Sequence, residues 1–137
     1  MQVIISLILA IALEVGIDGN LAVSLALNEN PKLDPLVVGV TGDLGIMQLN
    51  PQYVDHFVDW YWDKPEAFDW RIPEHNIYVG LRHFKYLLSI PSFNIWQAVI
   101  AYNCGEVPVL NGSPPYMSIE YANNVFFMWQ ERSGKRW

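Results

Sequence analysis

Apolar residues recur at helical spacing along most of the chain. Ile77, Leu81, Phe84 and Leu88 follow one another at intervals of four, three and four, the repeat of one helical face. A last helix is predicted over residues 118–130. Its inner face holds Ile119, Ala122, Val125, Phe126 and Trp129. No segment alternates between apolar and polar residues for long enough to indicate a strand. The pattern therefore predicts a small, mostly α domain.

Capping residues and prolines divide this pattern into separate helices. Gly16 is a stop for the first helix, and Asp18 is an N-cap for a second helix that begins near residue 20. Pro31 ends the second helix, because proline disfavours helical geometry in the residue before it. Residues 94–105 are predicted to form another helix, and residues 106–116, which contain three prolines, are predicted to form a loop.

The N-terminal residues 3–13 are almost all apolar. A helix that crosses a bilayer needs about 20 such residues, and Glu14 ends this run earlier. The run has the length of an export-signal core, but no Lys or Arg precedes Lys32 and no A-x-A cleavage site follows. We therefore predict no membrane span and a buried first helix within a single domain of residues 1–137, with an atypical export signal as the alternative.

Composition narrows the class of protein. A chain of 137 residues suits one domain, and 52% hydrophobic with 16% charged residues excludes a disordered chain. The single Cys104 excludes a disulfide scaffold. A net charge of −6 opposes binding to a phosphate backbone, so no nucleic-acid partner is expected.

The histidines and the cysteine do not form a recognisable reactive site. His56, His75 and His83 lack the short spacing of metal ligands, and Cys104 has no neighbour that would activate a thiol. No metal site is therefore expected.

Glu29 is the most informative carboxylate. It ends an otherwise apolar helix, where the negative end of the helix dipole and partial burial both raise a carboxyl pKa. A raised pKa is what a general acid needs near neutral pH. The plain alternative is a solvated glutamate at a helix end.

Two further clusters carry polar groups. Residues 41–51 contain two glycines together with Gln48 and Asn50, whose amides suit sugar hydroxyls and acetamido groups. The alternative for this segment is a turn followed by a capped helix. Tyr102 and Asn103 form a third cluster at the end of an apolar helix.

The three clusters, in this order, resemble the motifs of the soluble lytic transglycosylase domain of the lysozyme-like superfamily. The motifs correspond to residues 28–30 (NEN), 42–48 (GDLGIMQ) and 101–103 (AYN). Residues 76–80 (NIYVG) resemble a further helix of that family, and Tyr121 resembles the tyrosine of its final helix. The resemblance spans nearly the whole chain, and it implies a lysozyme-like α+β fold, mostly helical, with a substrate cleft.

The chain also departs from the family pattern. Asn30 replaces the usual Ser after the glutamate, and Gly39 falls where a Ser would hydrogen-bond Glu29, with Thr41 as a possible substitute. Asp43 stands where Ala is frequent. In this respect the segment is similar to animal-type lysozymes, whose second catalytic carboxylate lies there, and to small transglycosylases of conjugation and secretion systems.

The resemblance implies cleavage of the β-1,4 bond between N-acetylmuramic acid and N-acetylglucosamine in peptidoglycan. Glu29 would act as acid and then as base, leaving a 1,6-anhydro end, and no cofactor is implied because a carboxylate suffices. One alternative is a muramidase, a hydrolase that uses Glu29 with Asp43. Another is a non-catalytic domain that binds glycan strands or has a structural role.

Further expectations follow from the resemblance. The residues expected to hold the sugar or line the cleft are Gln48, Met47, Tyr102, Asn103 and Tyr121. Six Trp, seven Tyr and six Phe suit stacking on sugar faces, although the sequence singles out none of them. The expected partner is a peptidoglycan strand and the expected state a monomer. The expected location is the cell envelope, the periplasm or another exported setting.

Overall fold

Seven helices make up most of residues 1–134, the part of the chain that the computed structural model describes. They are α1 Gln2–Val15, α2 Gly19–Glu29, α3 Val54–Tyr61, α4 Pro73–Leu88, α5 Ile95–Cys104, α6 Glu106–Leu110 and α7 Tyr116–Ser133. Helices account for 61% of this structure. In the described residues, extended pairing is limited to isolated bridges from Leu44 to Val38 and to Leu49. The prediction of a mostly α fold is confirmed.

Helix α1 is buried along one face. Ile8, Ile11 and Ala12 are buried where α1 packs against α2 and α4, whereas Val3 and Leu13 are 80% and 83% exposed. The outer face stays open because no other described element covers that side of the helix. Across residues 1–134, no helix combines the length and the apolar character needed to cross a bilayer.

Helix α2 lies at the centre of the fold and presents Glu29 at its end. The Asp18 carboxylate accepts a hydrogen bond of 3.0 Å from the Leu21 N–H and caps the helix, as predicted. Residues 21–26 are all buried between α1 and α7. The helix ends at Glu29, where Asn30 adopts an extended backbone just before Pro31.

The amphipathic faces predicted for the later helices also pack inward. In α4, Ile77, Leu81 and Phe84 are fully buried and Leu88 is partly buried. Helix α7 packs against α2 and α5. Its buried side chains are Ser118, Ala122, Val125 and Trp129, with Ile119 and Phe126 partly buried.

The prediction of a loop over residues 106–116 is wrong for its first part, which forms α6. Pro108 is the third residue of this short helix. Proline is tolerated there because the first N–H groups of a helix have no intrahelical acceptor to lose. Gly105 separates α5 from α6 with φ +88°, a conformation that favours glycine. Helix α6 then forms one wall of a cleft.

Candidate active site

Glu29 borders a cleft whose volume is about 750 Å³. Its side chain keeps a small exposed surface, while protein surrounds the carboxyl group. Burial raises the pKa of Glu29 from 4.5 to about 8, and the negative charge of Asp43 adds to the rise. The Tyr121 hydroxyl opposes part of the shift by hydrogen bonding. The carboxyl group of Glu29 is therefore mostly protonated at neutral pH.

Tyr121 lies behind Glu29 and does not line the cleft. Its hydroxyl is buried, faces the Glu29 carboxyl and forms no hydrogen bond of standard length and angle. Burial, followed by the charge of Glu29, raises the pKa of Tyr121 well above its usual range, so the hydroxyl keeps its proton. Tyr121 is expected from the sequence to line the cleft, but it is not among the residues that border the cavity, and its hydroxyl faces Glu29 instead.

The segment from Gly39 to Asn50 turns tightly at the mouth of the site. Backbone bonds join Gly39 to Asp43 at 2.8 Å and Leu44 to Leu49 at 2.9 and 3.0 Å. Gly45 has φ +71°, and a Cβ there would overlap the side chain of Asn76, so this position needs glycine.

Asn76 and Tyr102 hold the peptide groups of Met47 from two sides. The Met47 N–H donates to Asn76 Oδ1 at 2.8 Å, and the Tyr102 hydroxyl donates to the Met47 carbonyl at 2.8 Å. Asn76 Nδ2 also donates to the carbonyls of Leu44 (3.0 Å) and Trp70 (3.1 Å). The turn of residues 39–50 is therefore fixed by α4 and α5. The sequence indicated residues 76–80 as part of a family helix, but not that Asn76 holds the turn in place. The signal for this role was a single amide side chain on a buried helix.

These contacts distinguish two of the expected cleft residues. Met47 is fully buried, and a Cβ at Gly80 would lie 2.6 Å from its Cβ, so the Met47 side chain belongs to the core and does not line the cleft as expected. Tyr102 borders the cleft, and its hydroxyl donates to the Met47 carbonyl. Contact between Tyr102 and a sugar stays a prediction.

Gln48 and Asn103 do line the cleft, together with Asp43. Gln48 has φ +53°, and its Nε2 donates to the carbonyls of Gly45 (3.0 Å) and Asp43 (3.3 Å). Asn103 Oδ1 accepts a hydrogen bond of 2.7 Å from Ser118. The fold therefore brings five of the expected residues together around one cavity, which Glu29, Asp43, Gln48, Tyr102 and Asn103 all border.

The positions that depart from the family pattern have other partners. Thr41 donates its hydroxyl to Asp43 Oδ2 at 2.9 Å, so the expectation that it serves Glu29 is wrong. A Cβ at Gly39 would overlap the Gln48 side-chain oxygen, which occupies that space.

Asn30 joins the end of α2 to the turn of residues 39–50. It is buried, and its Nδ2 donates to the carbonyls of Asp34 at 2.8 Å and Gly45 at 3.3 Å. Its task is therefore structural: the residue that follows Glu29 holds the glutamate and the turn in register.

Leu49, Asn50 and Ala101, from the clusters that the sequence indicated, also border the cleft. The lining residues that the sequence did not indicate are Gln52, Tyr53, Phe57, Trp60, Cys104, Gly105, Glu106, Val107 and Pro108. In the described part of the chain, no three His, Cys, Asp or Glu side chains converge as metal ligands would. The arrangement instead places a neutral carboxyl group near a second carboxylate in a partly aromatic cleft, which suits proton transfer to a bound substrate.

Comparison with known proteins agrees with this geometry. The crystal structure of the 70 kDa soluble lytic transglycosylase of Escherichia coli superposes with a TM-score of 0.73 at 23% identity, over 87% of this chain. The chain spans 22% of the length of that enzyme. No curated protein sequence matches the chain. The profile of the Transglycosylase SLT domain matches residues 6–125, and the chain therefore belongs to the SLT transglycosylase family.

Proposed function

We propose that this protein is a peptidoglycan lytic transglycosylase in which Glu29 is the single acid and base. The observation that carries the proposal is a carboxyl group with a pKa of about 8 at the border of a cleft, in the family's glutamate position. A carboxylic acid that is still protonated at pH 7 can donate a proton, whereas an ordinary glutamate is ionised there.

Glu29 supplies both proton transfers. Its proton goes to the glycosidic oxygen as the bond to C1 of N-acetylmuramic acid breaks and an oxocarbenium-like state develops. The C6 hydroxyl oxygen of the same sugar then bonds to C1, and the Glu29 carboxylate takes the hydroxyl proton. The products are a 1,6-anhydro end and a free 4-hydroxyl on N-acetylglucosamine, and Glu29 is protonated again. No water is consumed.

The surroundings of Glu29 support both halves of this cycle. Burial favours the neutral acid before the reaction. After proton donation, the Tyr121 hydroxyl faces the new carboxylate and can donate a hydrogen bond to it, which stabilises the charged base form. Glu29 therefore carries its proton before the reaction, and its carboxylate is a base strong enough to take the C6 hydroxyl proton afterwards.

One observation favours a second candidate, a muramidase. Asp43 borders the same cleft and its charge raises the pKa of Glu29, so the two carboxyl groups interact. In a hydrolase, Asp43 would act as nucleophile or would activate a water molecule. The two candidates differ in product: hydrolysis adds one water to the new end, and transglycosylation does not.

The test uses purified sacculi and mass spectrometry of the released fragments. Glu29→Gln should abolish release, while Glu120→Gln, at an exposed position on α7, should release as the wild type does. Anhydro ends that persist in Asp43→Asn support the single-residue mechanism. Reducing ends that disappear in Asp43→Asn support the muramidase. Release by Glu29→Gln would overturn both, and a sacculus pull-down without release by the wild type would indicate a glycan-binding domain.

We further propose that the protein acts in the cell envelope, because its proposed substrate lies outside the cytoplasmic membrane. Fractionation of cells that produce the full chain would test the location. Recovery in the cytoplasm alone would contradict it.

A further inference from the structure

One wall of the cleft carries aromatic rings that the proposed proton chemistry does not use. Tyr53 and Trp60 are 47% and 63% exposed, and both border the same cavity as Glu29. Phe57 lies between them, partly buried. The spacings of four and three residues place all three on one face of α3 and its N-cap. Large rings held open to water along a cleft are candidates for ligand contact.

The three rings form a continuous, rigid row. The ring centroids of Tyr53 and Phe57 are 6.4 Å apart, as are those of Phe57 and Trp60. His83 stacks against Phe57 at 4.2 Å, and its Nδ1 lies 3.0 Å from the Tyr61 hydroxyl. Burial lowers the pKa of His83 to about 4, so the support beneath the row is uncharged at neutral pH. The row therefore presents a fixed apolar surface.

The same cavity also carries hydrogen-bond acceptors. Glu106 begins α6 and borders the cleft, where the Tyr86 hydroxyl lies 3.1 Å from each of its carboxylate oxygens. Exposed amides of Asn50 and Gln52 border the same cavity. Among the described residues, no lysine or arginine lines it. This combination does not suit an anionic ligand.

A pyranose ring matches both the aromatic rings and the hydrogen-bond acceptors of this lining. One face of the ring carries C–H groups that pack on an aromatic ring, and its rim carries hydroxyls that donate to carboxylate and amide oxygens. Because the aromatic row and Glu29 share one cleft, a glycan strand cut at Glu29 would extend along the row.

We propose that Tyr53 and Trp60 form a sugar-binding subsite that holds the glycan strand away from the cut bond, with Glu106 accepting hydrogen bonds from its hydroxyls. This inference rests on the proposed function, because it takes the ligand of the cleft to be a peptidoglycan glycan strand. It assigns a binding task to α3 and α6, which flank the catalytic motifs.

Binding is measured in the Glu29→Gln background by calorimetry with β-1,4-linked N-acetylglucosamine oligomers of two to six units. Affinity should increase with oligomer length. Adding Trp60→Ala should weaken binding of the hexamer about tenfold, the scale of losing one desolvated ring face, and should leave the dimer less affected. Trp60→Phe should recover part of the loss. Tyr53→Ala should act in the same direction.

Tyr116→Ala is the matched control, because Tyr116 is 71% exposed on α7 and does not border the cleft. It should bind every oligomer as the parent does. Equal binding by Trp60→Ala and the parent, or no oligomer binding by the parent at millimolar concentration, would overturn the subsite.

The sacculus assay separates this inference from the proposed function. With Glu29 intact, Trp60→Ala should raise the KM for soluble glycan strands and leave kcat unchanged. If Glu29→Gln is inactive but Trp60→Ala binds oligomers normally, the subsite is refuted and the proposed function stands. If Glu29→Gln still releases fragments while Trp60→Ala weakens oligomer binding, the subsite stands and the proposed function is refuted.

Discussion

Replacing Glu29 with Gln should stabilise the folded protein at neutral and alkaline pH. In the folded state the Glu29 carboxyl has a pKa of about 8, compared with 4.5 for an unperturbed glutamate. Between these values the unfolded chain has released the proton and the folded chain retains it. Stability therefore falls as pH rises through this interval, because the folded state binds more protons there. Glutamine has nearly the same shape and no proton to lose.

The size of the effect follows from the pKa difference. Each pKa unit corresponds to about 1.4 kcal/mol. Relative to its value in acid, the wild-type free energy of unfolding should be lower by about 3 kcal/mol at pH 7 and by up to about 5 kcal/mol above pH 8.5. These amounts are a large part of the roughly 5–15 kcal/mol that stabilises a domain. Glu29→Gln should not lose them.

Urea unfolding of the wild type and Glu29→Gln at pH 4, 7 and 9 measures this directly. The difference in free energy of unfolding should be near zero at pH 4 and should grow with pH. Glu120→Gln, which removes an exposed carboxylate from α7, should show no comparable growth. If Glu29→Gln has the same gain in free energy of unfolding at every pH, or no gain at pH 9, the raised pKa and the acid role derived from it are refuted.

Three further results are expected. Fragment release from sacculi should fall about tenfold per pH unit above pH 8, as Glu29 loses its proton; a rate that is flat to pH 10 would contradict this. Gly80→Ala should cost about 1–3 kcal/mol in urea unfolding, because its Cβ would lie 2.6 Å from the Met47 Cβ. Unchanged stability would show that α4 and the turn that carries Met47 can move apart at little cost. Tyr102→Phe should cost about 1 kcal/mol and leave oligomer affinity unchanged, since its hydroxyl serves the Met47 carbonyl. A large loss of affinity would instead show contact with the sugar.

The helices could be predicted because their signals are local. Asp18 caps α2 through a residue three positions away, and the apolar repeat of α4 is complete within one segment. Helix α6 was missed for the opposite reason: the sequence shows Pro108 but not that the proline falls in a first turn, where it does no harm.

The position of Glu29 could also be predicted, because a motif and a helix end coincide there. The roles of its neighbours could not be predicted, because they depend on contacts between segments that are far apart in the sequence. The Met47 peptide is held by Asn76, 29 residues away, and by Tyr102, 55 residues away. These bonds decide that the Met47 side chain turns inward and that the Tyr102 hydroxyl proton is directed at the Met47 carbonyl.

The aromatic row was hidden for a related reason. With six Trp, seven Tyr and six Phe in the chain, abundance does not distinguish a core ring from an exposed one. The spacing of Tyr53, Phe57 and Trp60 is visible in the sequence, but it describes a buried helix face equally well. Only the packing of α3 against α4 shows which rings remain open to the cleft.

The departure at Gly39, and the hydrogen bond of Thr41 to Asp43, favour the acid form of Glu29. A hydroxyl that donates to a carboxylate stabilises the charged form and lowers its pKa. Here Thr41 donates to Asp43, and the Gln48 side chain fills the space beside Gly39. Burial and the charge of Asp43 then raise the pKa of Glu29, and only the Tyr121 hydrogen bond lowers it, so the pKa is about 8. A serine hydroxyl at position 39 that reached Glu29 would stabilise the carboxylate, so its absence leaves more of the carboxyl group protonated at neutral pH.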